Sequence, residues 1–278
     1  MSPLKLYFLA AEIAPFSETY ELASFSRKVT SRLHDKTDID IRISQPKYGY
    51  VSERKYVLRE VIRLKDIPVI FNGEKHIINM KSCFIPETRV QVYFIENNTL
   101  YKSLPDLIYK ARNGRVFSDI DARFAFFSLA AIDTLTSLFW APDIFICNGW
   151  QSAMVPGMYK KHFDGINEFY ENIKTVMVIH DLNEYSKVSR ADFKKAEVPI
   201  DSSLKGKMLS VYDVASFEAD AIIIFDKPSS IISKKLLNQP GLKANKKKIS
   251  VIQWSDDEMP DYNVIAKKMD KVLEKLSH

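Results

Sequence analysis

Leu4-Lys5-Leu6-Tyr7-Phe8-Leu9-Ala10-Ala11, running into Glu12-Ile13-Ala14-Pro15-Phe16, is the stretch that decides the fold. It is short, almost continuously apolar and lacks a period of two. Burial on both faces is therefore expected, which is the habit of a central strand in a parallel sheet. Open α/β sheets hold their ligands in the crevice beyond the carboxyl ends of the strands, and Glu12 is the first polar side chain at that end.

Working outward, Ser17 to Leu33 places Leu22, Phe25, Val29 and Leu33 on one helical face, as a first crossover helix would. Ile39 to Ser44 is the next strand, ending at the turn Gln45-Pro46-Lys47-Tyr48-Gly49. From Val57 to Ile95 several β-rich runs follow one another, and Asn72-Gly73 between two of them is a strong hairpin signal, so an antiparallel insertion is expected over about 57–95. Ser118 to Trp140 is apolar nearly all round and predicts a buried helix. Strands at Asp143 to Cys147, Lys174 to Ile179, Ala221 to Phe225 and Lys248 to Ile252 then alternate with helices, and a terminal amphipathic helix covers about 260–276. The alternation predicts one α/β domain over 1–278: a Rossmann-like, doubly wound, mostly parallel sheet with helices on both faces.

Composition narrows the classes. Of 278 residues, 46% are hydrophobic, enough for a core and against disorder. The net charge of +5 comes from 40 basic residues scattered among 35 acidic ones, which argues against nucleic acid. Cys83 and Cys147, far apart on expected strands, give neither a disulfide framework nor metal-ligand spacing, and fit a reducing cytoplasm. The apolar stretch from Phe124 to Cys147 is interrupted by Asp133, Pro142 and Asp143, so no membrane span, and hence no membrane partner, is expected. There are only eight glycines where average usage gives about twenty, and no phosphate-cradling glycine motif. No metal or cofactor is expected.

The order of motifs adds a resemblance. AEIAPF, QPKYG, DARFAFFS, PDIF with WQSAMVP, VIHDL, and EAD ahead of IIIF stand in the order of SEVAPFAKTGGLADV, LPRYG, DNxxRFAFF, PDVVHxHDWQTALVP, TIHNL and ADRVTTVSPTY in the bacterial glycogen synthase and starch synthase family. The chain resembles that family over roughly residues 4–257, in its N-terminal half alone. The resemblance implies the N-terminal Rossmann-like domain of a GT-B type glycosyltransferase, glucosyl transfer from ADP-glucose to an α-1,4-glucan, and absence from this chain of the half that holds most of the nucleotide sugar.

Departures inside the matching half bear on that activity. The family's Lys-Thr-Gly-Gly-Leu, where the lysine and glycines meet the donor's phosphates, stands here as Glu18-Thr19-Tyr20-Glu21-Leu22. In the HxHDWQ stretch, Ile146, Asn148 and Gly149 replace the two histidines and the aspartate, and Trp150 and Gln151 remain. A chain inactive by itself is the expectation.

By resemblance, His180 and Asp119 are the catalytic candidates, and Glu12, Tyr48, Arg123, Trp150 and Gln151 the substrate-binding ones. Five of them have a second reading: Glu12 as a cap on backbone amides, Arg123 as the partner of Asp119 or Asp121, Tyr48 and Trp150 as packing, and His180 as a ring fixed by local backbone groups. The expected partners are an α-glucan or oligosaccharide, with a separate nucleotide-sugar-binding subunit or a second copy of the chain. Two functions stay open: a glucosyltransferase component needing another subunit, or a non-catalytic carbohydrate-binding or protein-interaction module.

Overall fold

A computed structural model of the chain describes residues 3–36, 38–101, 108–254 and 260–277. In order, the elements are β1 (Leu4–Ala10), α1 (Glu21–His34), β2 (Ile39–Pro46), α2 (Glu53–Tyr56), β3 (Arg59–Glu60), β4 (Ile67–Phe71), β5 (Glu74–Phe84) and β6 (Gln91–Glu96). Next come α3 (Ile120–Asp133), α4 (Leu135–Leu138), β7 (Ile144–Asn148), α5 (Val155–His162), β8 (Lys174–Ile179), β9 (Lys187–Ser189), α6 (Arg190–Lys195) and β10 (Met208–Ser210). The chain continues through α7 (Val211–Glu218), β11 (Ala221–Asp226), α8 (Ile232–Leu237), α9 (Pro240–Ala244), β12 (Ile249–Gln253) and α10 (Tyr262–Glu274).

Ten strands form one sheet in the order β12-β11-β8-β7-β1-β2-β6-β5-β3, with β4 paired to β5. β1 lies at the centre, parallel to β2 on one side and to β7 on the other, and Leu6 to Ala10 are wholly buried. The chain winds outward through β2 and β6, then returns to β7 and winds the other way, so the topological switch point lies between β1 and β7. Helices α1 and α10 pack together as one layer, while α3, α5, α7 and α9 pack successively in another.

The Asn72-Gly73 turn has φ of 52° and 76°, the left-handed pair that a two-residue hairpin requires, and joins β4 to β5. Beyond the turn the structure redraws the expected insertion. β6 is a parallel partner of β2, and β5 lies antiparallel beside β6 in the main sheet. Val57 to Leu64 yields only the two-residue β3 and a short 3-10 turn, because its apolar residues do not alternate and Val57 itself has φ 52°. The long helix expected over 118–140 is divided at Thr134, whose hydroxyl bonds back to the Ala130 carbonyl at 2.9 Å.

The terminal helix is the amphipathic one expected. Asp261 caps it by accepting from the amide of Asn263 at 2.9 Å, and Ile265, Ala266, Met269 and Leu273 face inward. Asp270, buried, pairs with Lys36 just past the end of α1 and ties the two helices together.

Gly241 is required by close approach. A Cβ there would stand 2.4 Å from the Asp213 carbonyl oxygen, while the Asp213 carboxylate accepts the Gly241 and Leu242 amides at 2.9 and 3.1 Å. Gly241→Ala is expected to destabilise the fold by about 2 kcal/mol through overpacking against backbone, read as a lowered midpoint in urea with an unchanged slope.

Candidate active site

Glu12 follows β1, Tyr48 follows β2, Trp150 and Gln151 follow β7, and His180 follows β8, so all five stand at the carboxyl edge of the sheet around the switch point. Asp119 and Arg123 stand at the start of α3. They join the same side through Tyr101, which donates to the Arg123 carbonyl at 2.8 Å and packs edge-on to Tyr48 at 6.3 Å.

Glu12 is wholly buried, and its carboxylate accepts four bonds: the Ser17 hydroxyl at 2.7 Å, the Thr19 amide at 2.9 Å, the Thr19 hydroxyl at 3.0 Å and the Tyr20 amide at 3.2 Å. Those two amides lead into α1, where Tyr20 is an N-cap without a capping side chain. A helix N-terminus attracts anions because its first amides lack partners, and here an internal carboxylate takes the N-cap amide of Tyr20 and the Thr19 amide just before it. Burial raises the Glu12 pKa above the ordinary carboxylate value, against four hydrogen bonds that favour the anion.

The other candidates are held by protein. Tyr48 is fully buried, donates to the Ala11 carbonyl at 2.9 Å and stacks on Tyr50 at 5.7 Å. The Arg123 guanidinium pairs with Asp119 at 2.8 Å and donates to the Leu100 carbonyl. Trp150, 4% exposed, meets Phe124 edge-on at 5.0 Å, and the Gln151 amide donates to the Tyr109 hydroxyl. The Trp150 indole Nε1 and the Gln151 Oε1 are buried without a hydrogen-bond partner among the described residues.

His180 Nε2 lies 2.7 Å from the Asn148 Oδ1, and Asn148 Nδ2 donates to the Ser26 hydroxyl at 3.1 Å. This bond makes Nε2 the protonated nitrogen, so a side chain from β7, and no local backbone group, fixes the ring. Phe25 meets the ring edge-on at 4.3 Å and Phe225 stacks on it at 5.2 Å. Burial pushes its pKa down to about 3, so the imidazole stays neutral at physiological pH.

Sequence reasoning did not reach Tyr109, which sits in a stretch without periodicity. Its ring, 3% exposed, lies 4.7 Å from Tyr20, 5.2 Å from Tyr185 and 5.5 Å from Trp150, at the middle of an aromatic cluster over the crevice. Gly149, at the family's aspartate position, has φ 81° and ψ 174°, a backbone region that only glycine adopts readily. A Cβ there would stand 2.5 Å from Gln151 Oε1 and 3.2 Å from Leu22 Cδ2.

The family model described as the starch synthase catalytic domain matches residues 5–231. The chain belongs to this family. It is 32% identical over 187 residues to the glycogen synthase of Chlorobium phaeovibrioides, a match covering 64% of this chain and 36% of that protein. To the glycogen synthase of Pelodictyon phaeoclathratiforme it is 30% identical over 191 residues, covering 69% of this chain and 38% of the relative. The chain therefore spans little more than a third of the length of these curated relatives. Among solved structures, the catalytic domain of starch synthase IV from Arabidopsis thaliana, bound to ADP and acarbose, superposes with a TM-score of 0.71 at 19% identity, over 91% of this chain and 52% of that one. That superposition bears out the expected Rossmann-like α/β fold, equivalent to one half of a GT-B type catalytic domain. Among the described residues, no helix is long and apolar enough to cross a membrane, and no cluster of His, Cys, Asp and Glu is arranged to hold a metal.

Two outcomes are expected. Because the unfolded histidine titrates near 6.5 and the folded one near 3, the unfolded state binds the extra proton between those values. His180 therefore removes stability as pH falls from 6.5 towards 3, by up to about 1.4 kcal/mol per unit, and adds no further loss below 3. NMR titration should show one ring that stays neutral at pH 5, and His180→Gln should flatten that part of the stability profile. Glu12→Ala, which removes the common acceptor of four donors, should cost about 3 kcal/mol in denaturant unfolding.

Proposed function

We propose that this family member uses its crevice to bind a neutral α-glucan and does not by itself transfer glucose from ADP-glucose. The observation that carries this is the Glu12 carboxylate seated on the Thr19 and Tyr20 amides. A diphosphate needs cations or clustered free amides. In the loop after β1, the amides serve an internal anion, and Glu18 and Glu21 add negative charge where the family places lysine and glycine. The strand-end turn after β7 has Gly149 and Asn148 in place of the aspartate and histidine, and Asn148 is committed to His180.

Neutral hydroxyls ask for less. Tyr20 is 40% exposed and lies in the same aromatic cluster as the half-buried Tyr185, giving rings on which a pyranose can stack. Beneath them the Trp150 N–H and Gln151 Oε1 are buried and unpartnered among the described residues, one donor and one acceptor that complement a sugar hydroxyl once the aromatic cover above them opens. Maltooligosaccharide is the ligand in this proposal, and the cytoplasm its location. The second reading makes the chain one subunit of a split glucosyltransferase. Its support is that His180, Asp119 and Arg123 match family site positions and stand at the same edge of the sheet.

In calorimetry, maltoheptaose should bind with a millimolar to high-micromolar dissociation constant that Tyr20→Ala weakens about tenfold, while ADP-glucose should give no heat. Micromolar ADP-glucose affinity in the unaltered chain would overturn the proposal. Weak ADP-glucose binding recovered in a variant carrying Glu18→Lys, Tyr20→Gly and Glu21→Gly would support it. Transfer activity gained on adding a nucleotide-sugar-binding partner would favour the split enzyme.

A further inference from the structure

Away from the crevice, towards the amino ends of β2 and β6, one face of the sheet carries a groove that the proposed glucan site does not use. Registered neighbours in a sheet share a face. One row across β6, β5 and β3 therefore runs Tyr93, Ser82, Arg59, and the next, across β2, β6 and β5, runs Arg42, Gln91, Phe84. Between these rows and the Val61–Arg63 turn lies a cavity of about 550 Å³, lined in part by Arg59, Arg63, Gln91 and Tyr93. A second, of about 420 Å³, shares Arg59, Ser82 and Gln91 with the first and continues to Val57 and Phe84, so the two form one trough.

The charged side chains lining the trough are Arg59, Arg63 and Glu60, a net positive charge, and Arg42 stands beside it on the same face of the sheet. Arg42 lies over Trp140 at 4.4 Å and donates to the Tyr93 hydroxyl at 3.4 Å; Arg63 reaches the Leu138 carbonyl at 3.5 Å. Neither they nor Arg59 pairs with a carboxylate among the described residues. Of the two nearby acids, Glu60 lines the first cavity and pairs with the exposed Lys65 at 3.5 Å, and Asp40 accepts from the Trp140 indole at 3.0 Å. The lip is apolar and open to water, with Val57 63%, Ile62 86% and Phe84 58% exposed. Guanidiniums without a carboxylate partner beside exposed apolar side chains match carboxylates interleaved with apolar anchors, and two adjoining cavities of about 550 and 420 Å³ hold more than a single ion.

We propose that this trough docks an extended acidic segment of a partner protein, its carboxylates on Arg59 and Arg63 and its apolar side chains against Ile62 and Phe84. The trough is separate from the crevice, and the interaction does not depend on glucan binding.

The test uses the full chain and a fluorescein-labelled peptide of sequence Glu-Glu-Leu-Glu-Glu-Phe-Glu-Glu-Leu-Glu, with a control in which every Glu is Gln. Fluorescence anisotropy should show binding in the tens of micromolar at low salt and at least tenfold weakening in Arg59→Ala/Arg63→Ala. Weakening of about fivefold is expected in Ile62→Ser/Phe84→Ser, and none in Tyr20→Ala. These side chains are exposed except for the sheet-borne part of Phe84, and a matching melting temperature verifies that each variant folds. Equal binding of the Gln control, insensitivity to the arginine pair, or no binding at all would overturn the proposal. So would inorganic phosphate or tripolyphosphate displacing the peptide at concentrations below its own dissociation constant, which would mark the trough as a small-anion site.

Discussion

The parallel pairing of β1 with β2 on one flank and β7 on the other is the constraint from which the rest of the molecule follows. A strand with parallel neighbours on both sides cannot be joined to them by hairpins, so each connection must cross a face of the sheet and bring a helix with it. Those helices cover the strand on both sides, which is why Leu6 to Ala10 are fully buried. They also leave one place where successive crossovers diverge, at the carboxyl ends of β1 and β7. Glu12 and Trp150 stand at the same edge of the sheet because of that topology.

Within this frame the crevice differs from a phosphate site by the fate of its backbone amides. Amides at a helix entry are a fixed resource, and two of them, from Thr19 and Tyr20, go to the Glu12 carboxylate. The charge reversal at Glu18 and Glu21 and the glycine-only backbone at Gly149 act in the same direction, at two different loops. Aromatic surface has entered instead: Tyr20, Tyr109, Tyr185 and Trp150 form one contiguous cluster above the switch point. Such a surface favours neutral, flat-faced ligands over multiply charged ones.

The two ends of the sheet handle charge differently. Near the carboxyl edge of β2, Lys47 and Lys81 share Glu53 and Glu96, a closed network that lowers the Glu53 pKa below the ordinary carboxylate value. Towards the amino end, Arg42, Arg59 and Arg63 have no such partners among the described residues. A protein that neutralises one set of cations internally and leaves another open beside apolar side chains has a directional surface, and partner recognition there is separable from events in the crevice.

The sequence by itself determined the sheet and its centre. The unalternating run from Leu4 to Ala11, the Asn72-Gly73 turn and the later alternation of strands and helices are local patterns, and local patterns are what periodicity and turn chemistry read. The order of motifs gave the family, and with it Glu12, Tyr48, Asp119, Arg123, Trp150, Gln151 and His180 as a set. What each of these does was decided by tertiary structure alone. Glu12 is a cap because the chain turns back to bring Ser17, Thr19 and Tyr20 onto its carboxylate. His180 is neutral because Phe25 and Phe225, distant in sequence, pack on its ring and strip away much of its water, and its orientation comes from Asn148 on the neighbouring strand. Tyr109 was invisible beforehand, since nothing local marks a residue whose position is set by four aromatic neighbours from other segments. The arginine trough likewise exists only once strand register lines up Arg42, Arg59 and Tyr93, because a surface shared by four strands has no counterpart in the linear order of residues.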